Sequence, residues 1–168
     1  MRYSKIRKMD IANGEGVRVS IFFQGCAFHC DECFNPETWD FNGGLEFTDE
    51  VISHILDLAS PNHISGLSIL GGEPMHPKNI EGTTKLAKDF KEKYQDKTIW
   101  CWTGFKYEDI KDKEVFNYID VLIDGQFQKD KFDSTLKWRG SSNQRVIDIK
   151  KTKDKAKLVL YESNIFKF

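Results

Sequence analysis

No stretch of the chain approaches the ~18 consecutive apolar residues of a membrane span, so no membrane partner is expected. Neither charge is in excess. With 25 Lys and Arg against 26 Asp and Glu, the formal net charge is −1. The electrostatic footprint of a dedicated nucleic-acid binder is therefore missing. The opening residues, Met1-Arg2-Tyr3-Ser4-Lys5-Ile6-Arg7-Lys8, carry charge with no apolar core behind them, unlike a secretory signal. No internal repeat or linker breaks the 168 residues. One domain, 1–168, is expected, and it is large enough to fold without staples. Hydrophobic residues at 39% and charged residues at 30% exclude global disorder. Cysteine is also scarce: Cys26, Cys30, Cys33 and Cys101. A disulfide framework would spread its cysteines to close long loops, whereas three of these lie within eight residues. Packed thiols without a secretion signal read as metal ligands in a reducing compartment, hence a cytoplasmic protein.

Between these absences lies a regular alternation. Val17 to Gln24 is β-branched and aromatic and reads as a buried strand. The cysteine loop follows. Thr48-Asp49-Glu50 opens a helix, with Thr48 as N-cap and two acids at the positive end of its dipole. Val51, Ile52, Ile55, Leu56 and Ala59 form its buried face, and Pro61 ends it. Gly66 to Leu70 is a short strand, followed by Gly71-Gly72-Glu73-Pro74. A second helix is expected over Lys78–Tyr94, a strand over Thr98–Thr103, a short helix around Tyr107–Tyr118, and a strand over Asp120–Asp124. Such alternation implies an α/β fold with a parallel sheet. Ligands of such sheets bind beyond the carboxyl ends of the strands. There the sequence places the cysteine loop, Gly71–Glu73, Thr103-Gly104 and Asp124-Gly125. Arg145–Ile149 and Lys157–Tyr161 read as a C-terminal β-hairpin, with the lysine-rich run 150–155 as its solvated turn.

Cys26-Ala27-Phe28-His29-Cys30-Asp31-Glu32-Cys33 is a C-x3-C-x2-C array. A structural zinc site takes four ligands, usually as two separated pairs. His29 as a fourth would sit between two other ligands, where a tetrahedron is awkward. An electron-carrying [4Fe–4S] cluster takes four cysteines. Three thiolates on a cubane leave one iron open, and an open metal position can hold a substrate, as it does in catalytic zinc sites.

This spacing after a strand is similar to the signature of the radical S-adenosylmethionine (SAM) superfamily. Further blocks narrow the resemblance: Asn13-Gly14-Glu15-Gly16-Val17-Arg18, Gly25-Cys26, Cys33-Phe34-Asn35-Pro36-Glu37-Thr38-Trp39, Gly71–Pro74, Trp102–Phe105, Val121–Gly125 and Arg139–Arg145. Over roughly residues 3–148 the chain resembles the activating proteins of the anaerobic ribonucleoside-triphosphate reductase. In the wider superfamily an aromatic residue precedes the third cysteine. Here Glu32 stands there and Phe34 follows, as in this smaller family. The resemblance implies a partial, incomplete βα barrel. Cys26, Cys30 and Cys33 would hold a [4Fe–4S] cluster whose open iron takes SAM. Gly71, Gly72 and Glu73 would bind the methionine part, while Thr103 and Asp124 would touch SAM or an associated cation. A low-potential donor would supply the electron. The resulting radical would take hydrogen from a glycine of the reductase's large subunit.

Other readings stand beside this one. The protein could activate another glycyl-radical enzyme of the pyruvate formate-lyase type, act on a small molecule, or carry electrons without catalysis. Cys101, mid-strand between two Trp, reads as a small buried apolar residue. His29 reads as a loop-packing or cluster-shell residue rather than a ligand. Gly14-Glu15-Gly16 is either a turn or a loop shaping the pocket. Lys129, Lys131, Lys137, Arg139 and Arg145 lie in or beside an irregular segment suited to a surface contact.

Overall fold

The run Val-Arg-Val-Ser-Ile-Phe-Phe forms strand β2 (Val17–Phe23), buried along nearly its whole length. In the computed structural model, which describes residues 1–163, β2 is the third strand of an open seven-stranded sheet. The remaining strands are β1 (Arg2–Asp10), β3 (Leu45–Glu46), β4 (Ile64–Gly71), β5 (Thr98–Trp102), β6 (Val121–Asp124) and β7 (Arg145–Asp148). Their order is β3-β1-β2-β4-β5-β6-β7. The central strands β2, β4, β5 and β6 run parallel. β1 and β7 flank them antiparallel. The fold is thus mixed α/β with a parallel centre, as the alternation predicts, and the sheet does not close.

Period-two alternation divides the central strands between two faces. Val19, Ile21, Phe23, Leu67, Ile69, Ile99 and Leu122 point to the helical layer. Helix α1 (Asp49–Leu58) contributes Ile52 and Ile55 to that core, and α2 (Ile80–Lys93) contributes Leu86, Ala87 and Phe90. Both helices start within two residues of the expected positions. On the opposite face Trp100, Val121, Ile123 and Val146 pack against Trp102, Trp138 and Tyr161.

Three expectations change. The region 107–118 is broken, with helix α3 covering only Tyr107–Ile110 and a 3-10 turn over Glu114–Asn117. Lys113 between them is extended, at φ −73 and ψ 140. No C-terminal hairpin forms. After β7 the lysine run is helix α4 (Ile149–Lys155), capped when Lys151 N donates to the Asp148 carboxylate at 2.9 Å. Asp is a strong N-cap and Lys a good helix former, so the local preference wins. Among the described residues one antiparallel bridge, Ile147 to Leu160, with Asp148 N donating to Val159 O and Tyr161 N to Val146 O at 2.9 Å, places the 157–161 segment beside β7. The N-terminal strand β1 was not expected. Its half-exposed, charge-rich sequence lacks hydrophobic alternation, and main-chain pairing with β2 holds it.

On that face lies Arg18, fully buried. Its guanidinium donates to Ser68 Oγ, Leu67 O and Thr98 O at 2.7–2.9 Å, and to Glu15 O and Thr98 Oγ1 at 3.0 Å. It also stacks over Trp100 at 5.4 Å. Burial lowers its pKa to about 10, so it stays charged at neutral pH. Arg18 thereby pins the 13–16 turn, β4 and β5 together. Arg18→Met removes these donors and strands buried carbonyls. A loss of roughly 3 kcal/mol in denaturant unfolding is expected, and an unchanged midpoint would contradict this role.

Candidate functional site

Parallel pairing delivers the carboxyl ends of β2, β4, β5 and β6 to one edge of the sheet. A cleft of about 580 Å³ opens there. Cys26, Cys30 and Cys33 line it, together with Gly71, Gly72, Glu73, Thr103, Gly104 and Gly125. Phe22, Leu70 and Trp102 supply apolar wall, and the irregular 126–144 segment closes another side with Phe127, Phe132 and Arg139.

The cysteine loop is closed at its base by Gly25 N donating to Thr38 O at 2.8 Å and Cys26 N to Trp39 O at 3.1 Å. Two non-glycine residues inside it have positive φ: His29 at 47° and Glu32 at 54°. L-residues adopt this region at a cost of about 1–2 kcal/mol each, and strain of this kind clusters at functional sites. Each one immediately precedes a cysteine and so turns Cys30 and Cys33 within the loop. The His29 ring stacks on Trp39 with centroids 4.6 Å apart, consistent with loop packing. Cys26 is buried and the other two thiols are half-buried. Burial pushes the Cys26 thiol up, against the pull of the backbone N–H groups of Phe28 and His29. Cys33 Sγ accepts from Asn35 N at 3.4 Å.

The chemistry of this donor set fits an iron–sulfur cluster. Three thiols come from one short loop and face one cleft, and two of them, Cys26 and Cys33, already receive backbone N–H donors that favour thiolate charge. Among the described residues, no three His, Cys, Asp or Glu side chains are placed to share one metal ion. Cluster thiolates differ in this respect, since each takes a different iron. Cys101 is not on the cleft. It is fully buried in the helix-side core, and desolvation raises its thiol well above the ordinary range.

The Gly71–Glu73 turn is seated directly on the base of the cysteine loop. Gly72 N donates to Phe23 O and Glu73 N to Gly25 O, both at 2.8 Å. A Cβ on Gly72 would lie 2.6 Å from Gly25 O and 2.9 Å from Thr38 O, so a side chain there would drive the two loops apart. Gly71, at φ 111°, takes a conformation that favours glycine. The Glu73 carboxylate is 1% exposed and accepts three hydrogen bonds: Met75 N at 2.9 Å, Thr103 Oγ1 at 2.6 Å and Gly104 N at 2.7 Å. It ties the turn to the end of β5. Burial raises its pKa from 4.5 to about 7.

Asn79 escaped the sequence reading. It occupies the N-cap of α2, yet its side chain does not cap the helix. Instead Nδ2 donates to Gln24 O at 2.9 Å and Glu73 O at 3.0 Å, binding both loops to the helix start. A polar residue at a cap position gives no sequence signal of this second use. Asp124 is buried and does not line the cleft. Its carboxylate accepts from Tyr107 N at 2.8 Å and from Arg145 Nε at 2.9 Å, and a second, very short contact runs to Arg145 Nη2. Arg145 also grips Glu108 bidentately, which holds that carboxyl down at about 2. Asp124 therefore anchors α3 and β7, while Thr103 and the glycines reach the cleft.

This open-edged sheet with one thiol-lined cleft defines a single-cluster iron–sulfur protein: residues 12–147 match the family model of a 4Fe-4S single cluster domain. The more particular likeness is to anaerobic ribonucleoside-triphosphate reductase-activating proteins. That of Enterobacteria phage T4 is 40% identical over 146 residues, covering 87% of this chain and 93% of the phage protein. Those of Pasteurella multocida and Escherichia coli K12 are 39% and 38% identical over 150 residues, covering 86% and 87% of this chain and 95% and 97% of theirs. The chain belongs to this family of reductase-activating proteins.

The raised Glu73 carboxyl has a pH consequence. Because its folded pKa exceeds its ordinary value, the folded state binds more protons between the two, and stability falls as pH rises through that window. Relative to Glu73→Gln, which cannot ionise, the wild-type chain should lose stability from about pH 4.5 to about pH 7 and then level off. Urea midpoints of both proteins across that range test this. A gap independent of pH would contradict it.

Proposed function

We propose that this protein is a radical SAM oxidoreductase that activates an anaerobic ribonucleoside-triphosphate reductase by generating a glycyl radical on its large subunit. One observation carries the reading: the three loop thiols and the Gly71-Gly72-Glu73 turn share one cleft, in a chain about 40% identical to reductase-activating proteins. When bound, a three-cysteine [4Fe–4S] cluster with SAM, given one electron from a low-potential donor, would supply hydrogen-atom abstraction from the glycine Cα, with SAM consumed to methionine and 5′-deoxyadenosine.

The residues have separate tasks. Cys26, Cys30 and Cys33 would hold the cluster through Sγ, with the N–H groups of Phe28 and His29 stabilising charge on Cys26 and that of Asn35 on Cys33. Gly71 and Gly72 form the wall for the methionine end of SAM. Glu73 is a positioning residue, since its carboxylate holds Thr103 and Gly104 at the cleft. Asp124 acts at one remove, through Arg145 and the start of α3. Phe22, Leu70 and Trp102 exclude water from the floor. The open sheet is read as a partial βα barrel forming a single domain, working in the cytoplasm. Among the described residues no helix is long and apolar enough to cross a membrane.

The test uses anaerobically reconstituted protein, reductant, SAM and the reductase. A glycyl radical should appear in the paramagnetic resonance spectrum of the reductase. Cys26→Ala, Cys30→Ala and Cys33→Ala should each abolish both radical and cluster, and Cys101→Ser should retain both. Pyruvate formate-lyase and a small-molecule panel serve as competing substrates. Consumption of a small molecule with no protein radical would overturn the activase reading. A radical on pyruvate formate-lyase alone would overturn the partner.

A further inference from the structure

Phe34 in the cysteine loop and Phe132 in the 126–144 segment are 63% and 53% exposed, which is costly for large apolar side chains unless a partner covers them. Phe127 packs against both. The ring centroids are 5.1 Å apart for Phe34–Phe127, 6.2 Å for Phe34–Phe132 and 6.4 Å for Phe127–Phe132. All three rings border the cleft. The strip is built on fixed elements. Lys129 pairs with Glu32 at 2.7 Å and Asp31 at 3.6 Å, clasping the segment to the cysteine loop. Trp102 Nε1 donates to Trp138 O at 2.8 Å, and a bridge joins Phe132 to Ser141. These pairings occupy charges that the sequence alone assigns to a docking contact: Lys129 turns to the loop acids and Arg145 to Asp124 and Glu108.

Abstraction of hydrogen from a backbone Cα requires the substrate segment to enter the cleft. The reacting residue is a glycine and offers no side chain to recognise. Discrimination therefore falls on its neighbours, which lie about 3.3–3.6 Å further along an extended chain per residue, at the rim. We infer that the Phe34–Phe127–Phe132 strip is the docking surface for the glycine-bearing segment of the reductase polypeptide, packing an apolar side chain that flanks the target glycine. Continuity with the cleft, and a rim of exposed aromatic rings, favour an apolar, uncharged stretch of polypeptide. This rests on the activase reading above.

The experiment measures glycyl-radical formation by cluster-loaded protein against reductase concentration for wild type, Phe132→Ser and Phe132→Leu. Phe132→Ser should need about tenfold more reductase for half-maximal radical, the order expected for truncating one aromatic anchor. Its iron content and its spectral response to SAM should match wild type, and Phe132→Leu should recover most of the loss. An unchanged concentration dependence would overturn the inference. So would a parallel loss of iron or SAM response, which would make Phe132 structural. A changed oligomeric state with normal reductase dependence would also overturn it, assigning the strip to self-association. If wild type itself forms no radical on the reductase while it still cleaves SAM, the activase reading falls and this inference with it.

Discussion

The seating of the Gly71–Glu73 turn on the base of the cysteine loop is the contact on which the site depends. Two backbone hydrogen bonds at 2.8 Å and the absence of a Cβ on Gly72 bring the turn against Gly25 and Thr38. From that turn the buried Glu73 carboxylate reaches Thr103 and Gly104 at the end of β5. Asn79 braces the same junction from the start of α2. The thiols and the glycine wall thus form one rigid unit supported by secondary structure. Preorganisation of this kind matters when a reactive species must meet its target atom and nothing else.

The two faces of the sheet divide the work. One is an ordinary aliphatic core against α1 and α2. The other carries Arg18, tryptophans and Tyr161, and it leaves space beneath the strand ends. The Tyr161 hydroxyl contacts the Glu15 carboxylate, and Ser163 Oγ lies 3.1 Å from the same group, so the chain's last described residues close over the 14–16 turn. The acids of the cysteine loop, Asp31 and Glu32, both pair with Lys129 from the opposite wall.

Much of this was legible before any coordinates. The apolar runs of β2, β4, β5 and β6, the helical faces around Ile52 and Phe90, and the turns after each strand follow from period and punctuation, and together they place the cleft. The cysteine spacing marks its chemistry. What stayed hidden has physical causes. β1 is held by backbone pairing, which leaves no side-chain signature. Lys150–Lys155 has the charge of a solvated turn, but the Asp148 cap, lysine's helix preference and the burial of Ile149 and Thr152 make it a helix. Asp124 and Glu73 look alike in sequence, as acids at the carboxyl ends of parallel strands. One turns to Arg145 and the other to the loops, a difference set by partners 21 and 30 residues away.

The central claim is a cluster held by Cys26, Cys30 and Cys33 with one iron left for SAM. Mössbauer spectroscopy of the iron-57-reconstituted protein, with and without SAM, tests it most directly. One iron should be distinguishable from the other three, and its signal alone should shift when SAM is added. Four irons that stay indistinguishable and unmoved by SAM would contradict the claim.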